Sequence, residues 1–221
     1  MIKSRQMSES IRLGMLLAAS GGFMDAYSYI VRNHVFANAQ TGNILLFGVN
    51  LSEGNFRMSL HYILPVIAFA LGIALAEIIH TKKDAGLHWR QGSVLIEALI
   101  LIAVAFFPLR LNLLANSLTS FACGIQVESF RKIRGNGIAT TMCIGNMRSG
   151  TQHFYNYFHG KNKESLRKAF LYYGIIVCFV IGAVIGNLFI KLLHEKAILC
   201  CSAMLIFAFV LMFIDYEREE L

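Results

Sequence analysis

The chain has 221 residues, 56% of them hydrophobic and 15% charged, with a mean hydropathy of +0.57; soluble domains run at about 45–50% and about 25%. That composition describes an integral membrane protein and leaves no room for a separate soluble domain. The formal net charge of +7 sits in short loops between apolar spans, where it reports topology, so nucleic-acid binding is excluded.

About 17–25 apolar residues cross a bilayer as a helix. The first such segment, residues 13–31, contains Gly21, Gly22 and Asp25. No small-residue cleavage site follows a short apolar core, so it reads as a retained span rather than a signal peptide. A weaker segment follows at 35–51, broken by Asn38, Gln40, Thr41 and Asn43. Clear spans come next at 62–79, 93–107 and 113–130. A second weak segment, 138–158, carries Thr140, Thr141, Asn146, Arg148, Ser149 and Thr151. Spans at 170–190 and 197–214 complete the chain. The five cysteines, Cys123, Cys143, Cys178, Cys200 and Cys201, all lie in apolar stretches. They are odd in number and lack Cys-x-x-Cys spacing, which favours buried free thiols over disulfides or a zinc site.

The two halves repeat each other. Gly21, Ile30, Asn33, Gly42 and Asn43 recur 103 positions later as Gly124, Ile133, Asn136, Gly145 and Asn146, and Asp25 is matched by Glu128. The matches fall on glycine, asparagine and acid, which apolar composition alone does not repeat. After a seven-residue insertion, Gly72 faces Gly182 and Ala76 faces Gly186, with the small-xxx-small spacing of helix packing sites. The repeats are taken as residues 1–109 and 110–221 of one membrane domain.

Basic residues decide whether the weak segments cross. If all eight segments cross, the basic residues divide 10 to 9 with no bias. If the weak segments enter and leave on one side, 14 fall in the cytoplasm, among them Lys82, Lys83, Arg131, Arg134 and Lys161. Only five, Arg32, Arg57, Arg110, Lys191 and Lys196, then lie outside. The expected fold is therefore an all-α membrane protein with six transmembrane helices and two broken or re-entrant segments. Both termini are cytoplasmic, and the setting is the inner (plasma) membrane. Each repeat holds three crossings, so the second is inverted: a 3+3 inverted repeat, a recurrent plan of secondary transporters.

Polar groups at membrane depth are expensive, about 2.5–3.5 kcal/mol for a central charge on insertion scales. Asp25 reads as a proton- or cation-coupling group. Glu128 is either its counterpart or an interfacial partner of Arg131 and Lys132. Thr41, Gly42 and Asn43 precede an apolar run. The glycine permits positive φ or close approach, and Thr41 or Asn43 can cap the following helix, whose N-terminus favours an anion. Gln126 offers hydrogen bonds across helices, and Thr140, Thr141, Gly145 and Asn146 form the second copy. Arg148 stands where the first copy has Leu45; it binds an anion, pairs with Asp25 or reaches to the cytoplasm. Glu77 and Glu97 are expected near cytoplasmic helix ends, paired with Lys82, Lys83 or Arg90.

The stretches Gly22-Phe23-Met24-Asp25-Ala26, Thr41-Gly42-Asn43, Gly124-Ile125-Gln126 and Thr140-Thr141 before Gly145-Asn146 resemble those of the YoaK-like family. These are bacterial multi-pass inner-membrane proteins of undetermined function. The family pattern has Asn at the position of Val127 and Thr at the position of Ile144. The resemblance implies membrane location and fold but no substrate.

The expected function is a small secondary transporter for a small polar or anionic solute, with Asp25 as coupling acid. A channel and a non-transporting membrane partner are the alternatives. No Gly-x-Ser-x-Gly, His-Glu-x-x-His or Cys/His ligand spacing occurs, so no enzyme, cofactor or metal is expected. The expected partners are membrane lipid and the solute, and homo-oligomerisation is compatible with the sequence.

Overall fold

The structure, a computed structural model, describes residues 10–81, 89–133 and 135–219, and the side chains of 214–219 are not described. Lys3, Arg5, Lys82, Lys83 and Arg134 of the expected cytoplasmic set lie outside these residues. Among the described residues there are eight α-helices: α1 Ile11–Val31, α2 Gln40–Ser52, α3 Phe56–Thr81, α4 Trp89–Val104, α5 Asn112–Ser129, α6 Cys143–Gly160, α7 Lys163–Leu193 and α8 Ile198–Glu219. Two-residue strands β1 Lys132–Ile133 and β2 Asn136–Gly137 form an antiparallel hairpin between α5 and α6.

Two stretches are long and apolar enough to cross a membrane: Phe56–Thr81, and Lys163–Phe213, which runs through α7 and a 3₁₀ turn into α8. They contain three of the six expected spans. The other three are helices of a different make-up. α4 has 16 residues among those described, which resume at Trp89. The inner helices α1 and α5 are diluted by buried polar groups, Ser20, Asp25 and Ser28 in one and Asn116, Thr119, Ser120 and Gln126 in the other. Outer helices instead turn large apolar residues outward, such as Ile67 and Leu71 on α3 and Val177, Val184 and Leu188 on α7. Extended apolar surface of this kind suits a lipid contact.

Contacts between helices follow an exchange pattern. α1 packs on α7 as α5 packs on α3; α2 packs on α3 as α6 packs on α7; α4 packs on α5 as α8 packs on α1. The closest crossings run through glycine. A β-carbon at Gly22 would meet the Phe179 carbonyl, and one at Gly182 the Ala19 carbonyl; across α3 and α5, Gly72 faces the Phe121 carbonyl and Gly124 that of Phe69. In this crossing Gly22, not Gly21, plays the part of Gly124, one residue off the 103-residue register of the sequence repeat.

Helices α1, α3, α4, α5, α7 and α8 gather their ends at two poles. At one, Arg32 after α1 reaches the carbonyls of Val104 at the end of α4 and Phe107 beyond it at 3.1 and 3.0 Å, and Asn112 Oδ1 at the start of α5 at 3.1 Å. Tyr27 Oη donates to the Glu195 carbonyl between α7 and α8 at 2.9 Å, and His61 near the start of α3 lies 3.2 Å from the Asn33 carbonyl. At the other pole the His80 ring at the end of α3 lies 4.6 Å from the Trp89 ring at the start of α4. There Ser129 Oγ bonds to Ser93 Oγ at 2.8 Å.

Candidate functional site

Each inner helix is followed by a segment that doubles back along it. After α1, Asn33 and His34 adopt left-handed φ of 63° and 59°, a region asparagine tolerates. The returning chain is pinned to α1 rung by rung. Ala37 N–H donates to Ser28 Oγ at 3.1 Å, Asn38 N–H to Asp25 Oδ1 at 2.7 Å, and Asn38 Nδ2 to the Gly21 carbonyl at 3.1 Å. At that depth α2 begins and runs back toward the same pole. Asn43 closes the hairpin: its Oδ1 accepts from Phe36 N–H at 3.0 Å, and its Nδ2 donates to the Phe36 carbonyl at 2.7 Å.

The second hairpin follows the same plan. Asn146 Nδ2 donates to the Ala139 carbonyl at 2.7 Å, the counterpart of the Asn43–Phe36 bond at a distance of 103 residues. Thr140 meets Gln126 of α5 at 3.2 Å. Thr141 packs its methyl against α1, where a β-carbon at Gly21 would come within 2.6 Å of it. Both hairpin tips therefore touch Gly21, Asn38 from one and Thr141 from the other.

Between the tips lies a cavity of about 810 Å³. Asn38, Gln40 and Thr41 line it from the first hairpin, and Thr141, Asn146 and Arg148 from the second. Gly145 also lines it, in open space. Both helices that start at this cavity, α2 and α6, have N-caps without a capping side chain, Ala39 and Met142. The positive helix ends favour an anion, although on α2 the Gln40 and Gly42 N–H groups already bond to the Asn38 and Ala39 carbonyls at 2.8 and 3.0 Å. Asn38 Oδ1 and Thr141 Oγ1 are buried with no hydrogen-bond partner, although buried polar atoms are ordinarily paired. These two residues, 103 apart, are equivalent positions in the repeat.

Several expectations about individual residues change. Thr41 does not cap α2; it lies in the first turn and faces the cavity. Gly42 has no positive φ; its small size lets the Phe36 ring, which a β-carbon would approach to 2.8 Å, pack on the helix start. Asn43 and Gln126 are buried structural links rather than cavity residues. Asp25 is buried and holds the Asn38 N–H. Glu128 pairs with Arg131 at 3.0 Å and lies off the cavity; Glu77 reaches Arg131 at 3.8 Å and His80 at 4.0 Å. Arg148 is exposed and forms no ion pair with a described residue, so its pairing with Asp25 is not found. All five cysteines are free.

Glu97 is the largest correction. It is fully buried within α4 rather than at a helix end; Lys82 and Lys83, two of its expected partners, lie outside the described residues. Because α4 starts at Trp89, Glu97 lies about 12 Å along the helix from its first residue. Its carboxyl oxygens sit 2.7 and 3.0 Å from the Gln126 amide. Arg32, counted among the outer basic residues, does sit at a pole but is fully buried.

A family model described as "Protein of unknown function (DUF1275)" matches residues 13–211. The UPF0700 transmembrane protein YoaK of Bacillus subtilis (strain 168) is 26% identical over 182 residues, 77% of this chain and 79% of the relative. No solved structure matches the chain.

Proposed function

The chain belongs to the DUF1275 family and is a membrane protein, and from that premise we propose that it is a small secondary transporter for a small polar or anionic solute, coupled to protons. The observation that carries the reading is the cavity of about 810 Å³ between the two hairpin tips. Two helix N-termini without a capping side chain, the exposed Arg148 and the unpartnered Thr141 Oγ1 meet there as donors, and Asn38 Oδ1 as an unpartnered acceptor. That lining suits a small polar solute that carries an anionic group beside a hydrogen-bond donor.

In this reading α1, α3, α4, α5, α7 and α8 cross the membrane, and the two poles are its faces. α2, with 13 residues, is about 20 Å long and too short for a core of about 30 Å. It returns to the pole where α1 ends, and α6 returns to the opposite one. Three crossings per half then make an inverted repeat, with both termini in the cytoplasm of an inner membrane. Asp25 couples the proton: protonation weakens its bond to the Asn38 N–H and loosens the first hairpin at the cavity. We read the chain as non-enzymatic.

The test is solute uptake into proteoliposomes under an imposed pH gradient. Candidate solutes come from a thermal-shift screen of small anions at two pH values. Uphill, gradient-driven uptake that Asp25→Asn uncouples is the expected result. Downhill flux alone, unaffected by the gradient, would make the protein a passive facilitator and remove the coupling role.

A further inference from the structure

Glu97 has an unusual setting for a membrane acid. It lies in α4 with no exposed surface, and among the described residues no lysine, arginine or histidine pairs with it. The titratable side chains around it are thiols, Cys123 on α5 and Cys201 on α8. Cys123 also interacts electrostatically with Asp25 on α1. On α3, Glu77 is engaged with His80 and with Arg131. Arg90, seven residues earlier on α4, is about 10 Å away along the helix. What touches Glu97 is the Gln126 amide.

A glutamine amide presents a donor on one side and an acceptor on the other, and these heavy-atom positions admit both of its orientations, only one of which bonds the Leu17 carbonyl at 3.3 Å. With Nε2 toward Glu97, it donates to the two carboxylate oxygens at 2.7 and 3.0 Å, and Oε1 accepts from Thr140 Oγ1 at 3.2 Å. That arrangement fits an ionised Glu97. With Oε1 toward Glu97, two oxygens face each other at 2.7 Å and require a proton between them, carried by the Glu97 carboxyl. Nε2 then donates to Thr140 Oγ1 at 3.2 Å and to the Leu17 carbonyl at 3.3 Å. The half-turn of one amide therefore turns Thr140 from donor to acceptor.

We propose that Glu97 is a proton-binding site of this protein, wired through Gln126 to Thr140 in the second hairpin. The proton that Glu97 takes up comes from water and returns to it, and no other bond changes. Gaining it reverses every hydrogen bond in the chain Glu97–Gln126–Thr140. Thr140 precedes Thr141, whose unpartnered hydroxyl lies at the cavity wall. Each hairpin tip is thus tied to a buried acid: the first directly to Asp25, the second to Glu97 through an amide. Glu128, the acid at the matching sequence position, is occupied by Arg131 instead. The inference deepens the proton-coupled reading but does not need a solute to be tested.

The test is pH-difference infrared spectroscopy of the protein in lipid vesicles, read in the carbonyl-stretch region of protonated carboxylic acids. A band that disappears on alkaline titration is expected, absent in Glu97→Gln and retained in Asp25→Asn. Gln126→Leu keeps the band but shifts it, because the carboxyl loses its acceptor; Thr140→Val shifts it less. The same set of bands in Glu97→Gln as in the parent overturns the site. If Glu97→Gln fails to fold, Gln126→Leu decides: an unshifted band overturns the wiring. Failure of uptake with this band present would count against transport and leave the proton site standing.

Discussion

Arg32 shows how a single buried cation can join parts of the chain far apart in sequence. Among the described residues it has no carboxylate partner. Nε donates to Tyr27 Oη at 3.1 Å, Nη1 to Asn112 Oδ1 at 3.1 Å, and Nη2 to the carbonyls of Val104 and Phe107 at 3.1 and 3.0 Å. Val104 is the last residue of α4, so the negative end of that helix supplies the counter-charge. The Arg32 carbonyl in turn accepts from Asn116 Nδ2 at 2.7 Å. A planar five-donor fork is needed to reach all four acceptors. Lysine keeps the charge but leaves at least one buried acceptor bare, at about 1–3 kcal/mol each. Arg32→Lys should therefore lower stability by about 2–4 kcal/mol, read as a lower thermal-unfolding midpoint in detergent. A midpoint equal to that of the parent would mean that the fork carries no stability. Nothing in the sequence announces this role, because an arginine just past an apolar run reads as an interfacial charge. Asn43 and Asn146 were easier to find. Their duplication marked them: each ties its helix to the preceding stretch of chain, and Asn146 also lines the cavity. Asn38 was visible only as one polar residue among several in a broken segment.

At the scale of helices, close approach depends on the absence of side chains at four positions. Gly22 and Gly182 bring α1 and α7 backbone to backbone, and Gly72 with Gly124 does the same for α3 and α5. Small residues are the usual means of packing helices where lipid removes the hydrophobic drive. Gly182→Leu would force a branched side chain into the Ala19 carbonyl. Overpacking of this kind costs about 1–3 kcal/mol or more, so the variant should unfold at lower temperature. Gly92 is the control: it lies within α4, and a β-carbon there meets nothing within 4 Å. Gly92→Ala should be neutral or stabilising by up to about 1 kcal/mol. If both variants behave alike, the crossing does not depend on glycine. Helix positions were legible because apolar runs of spanning length leave few alternatives, and the hairpins because polar residues interrupt such runs. The depth of Glu97 was not, since Trp89, Arg90 and Gln91 open α4 with polar character and an apolar count begins only at Ser93. The one-residue shift of the helix crossing was hidden too, because aligning the asparagines fixes the register of the hairpins alone.

For the whole molecule the decisive question is whether the hairpins enter from opposite faces. The contacts argue for it in a way independent of charge. α1 ends at the pole where α3 begins, as the approach of His61 to the Asn33 carbonyl requires, so α2 leaves and returns on that side. α7 ends at the same pole, where Tyr27 meets Glu195. It therefore begins at the other pole, where α5 ends and Arg131 meets Glu77, and α6 leaves and returns there. Ser52 and Lys161, at the outer ends of α2 and α6, are both exposed. If the poles are the two membrane faces, a cysteine at Ser52 should react with an impermeant thiol reagent added to intact cells. A cysteine at Lys161 should react only after permeabilisation. The native thiols must first be replaced, because Cys143, Cys178 and Cys200 are partly exposed. The sign is that of the proposed orientation, in which the excess of basic residues marks the cytoplasmic side and Lys161 belongs to it. Labelling of both positions from one side would refute the inversion, and with it the meeting of the two hairpin tips from opposite faces of the bilayer.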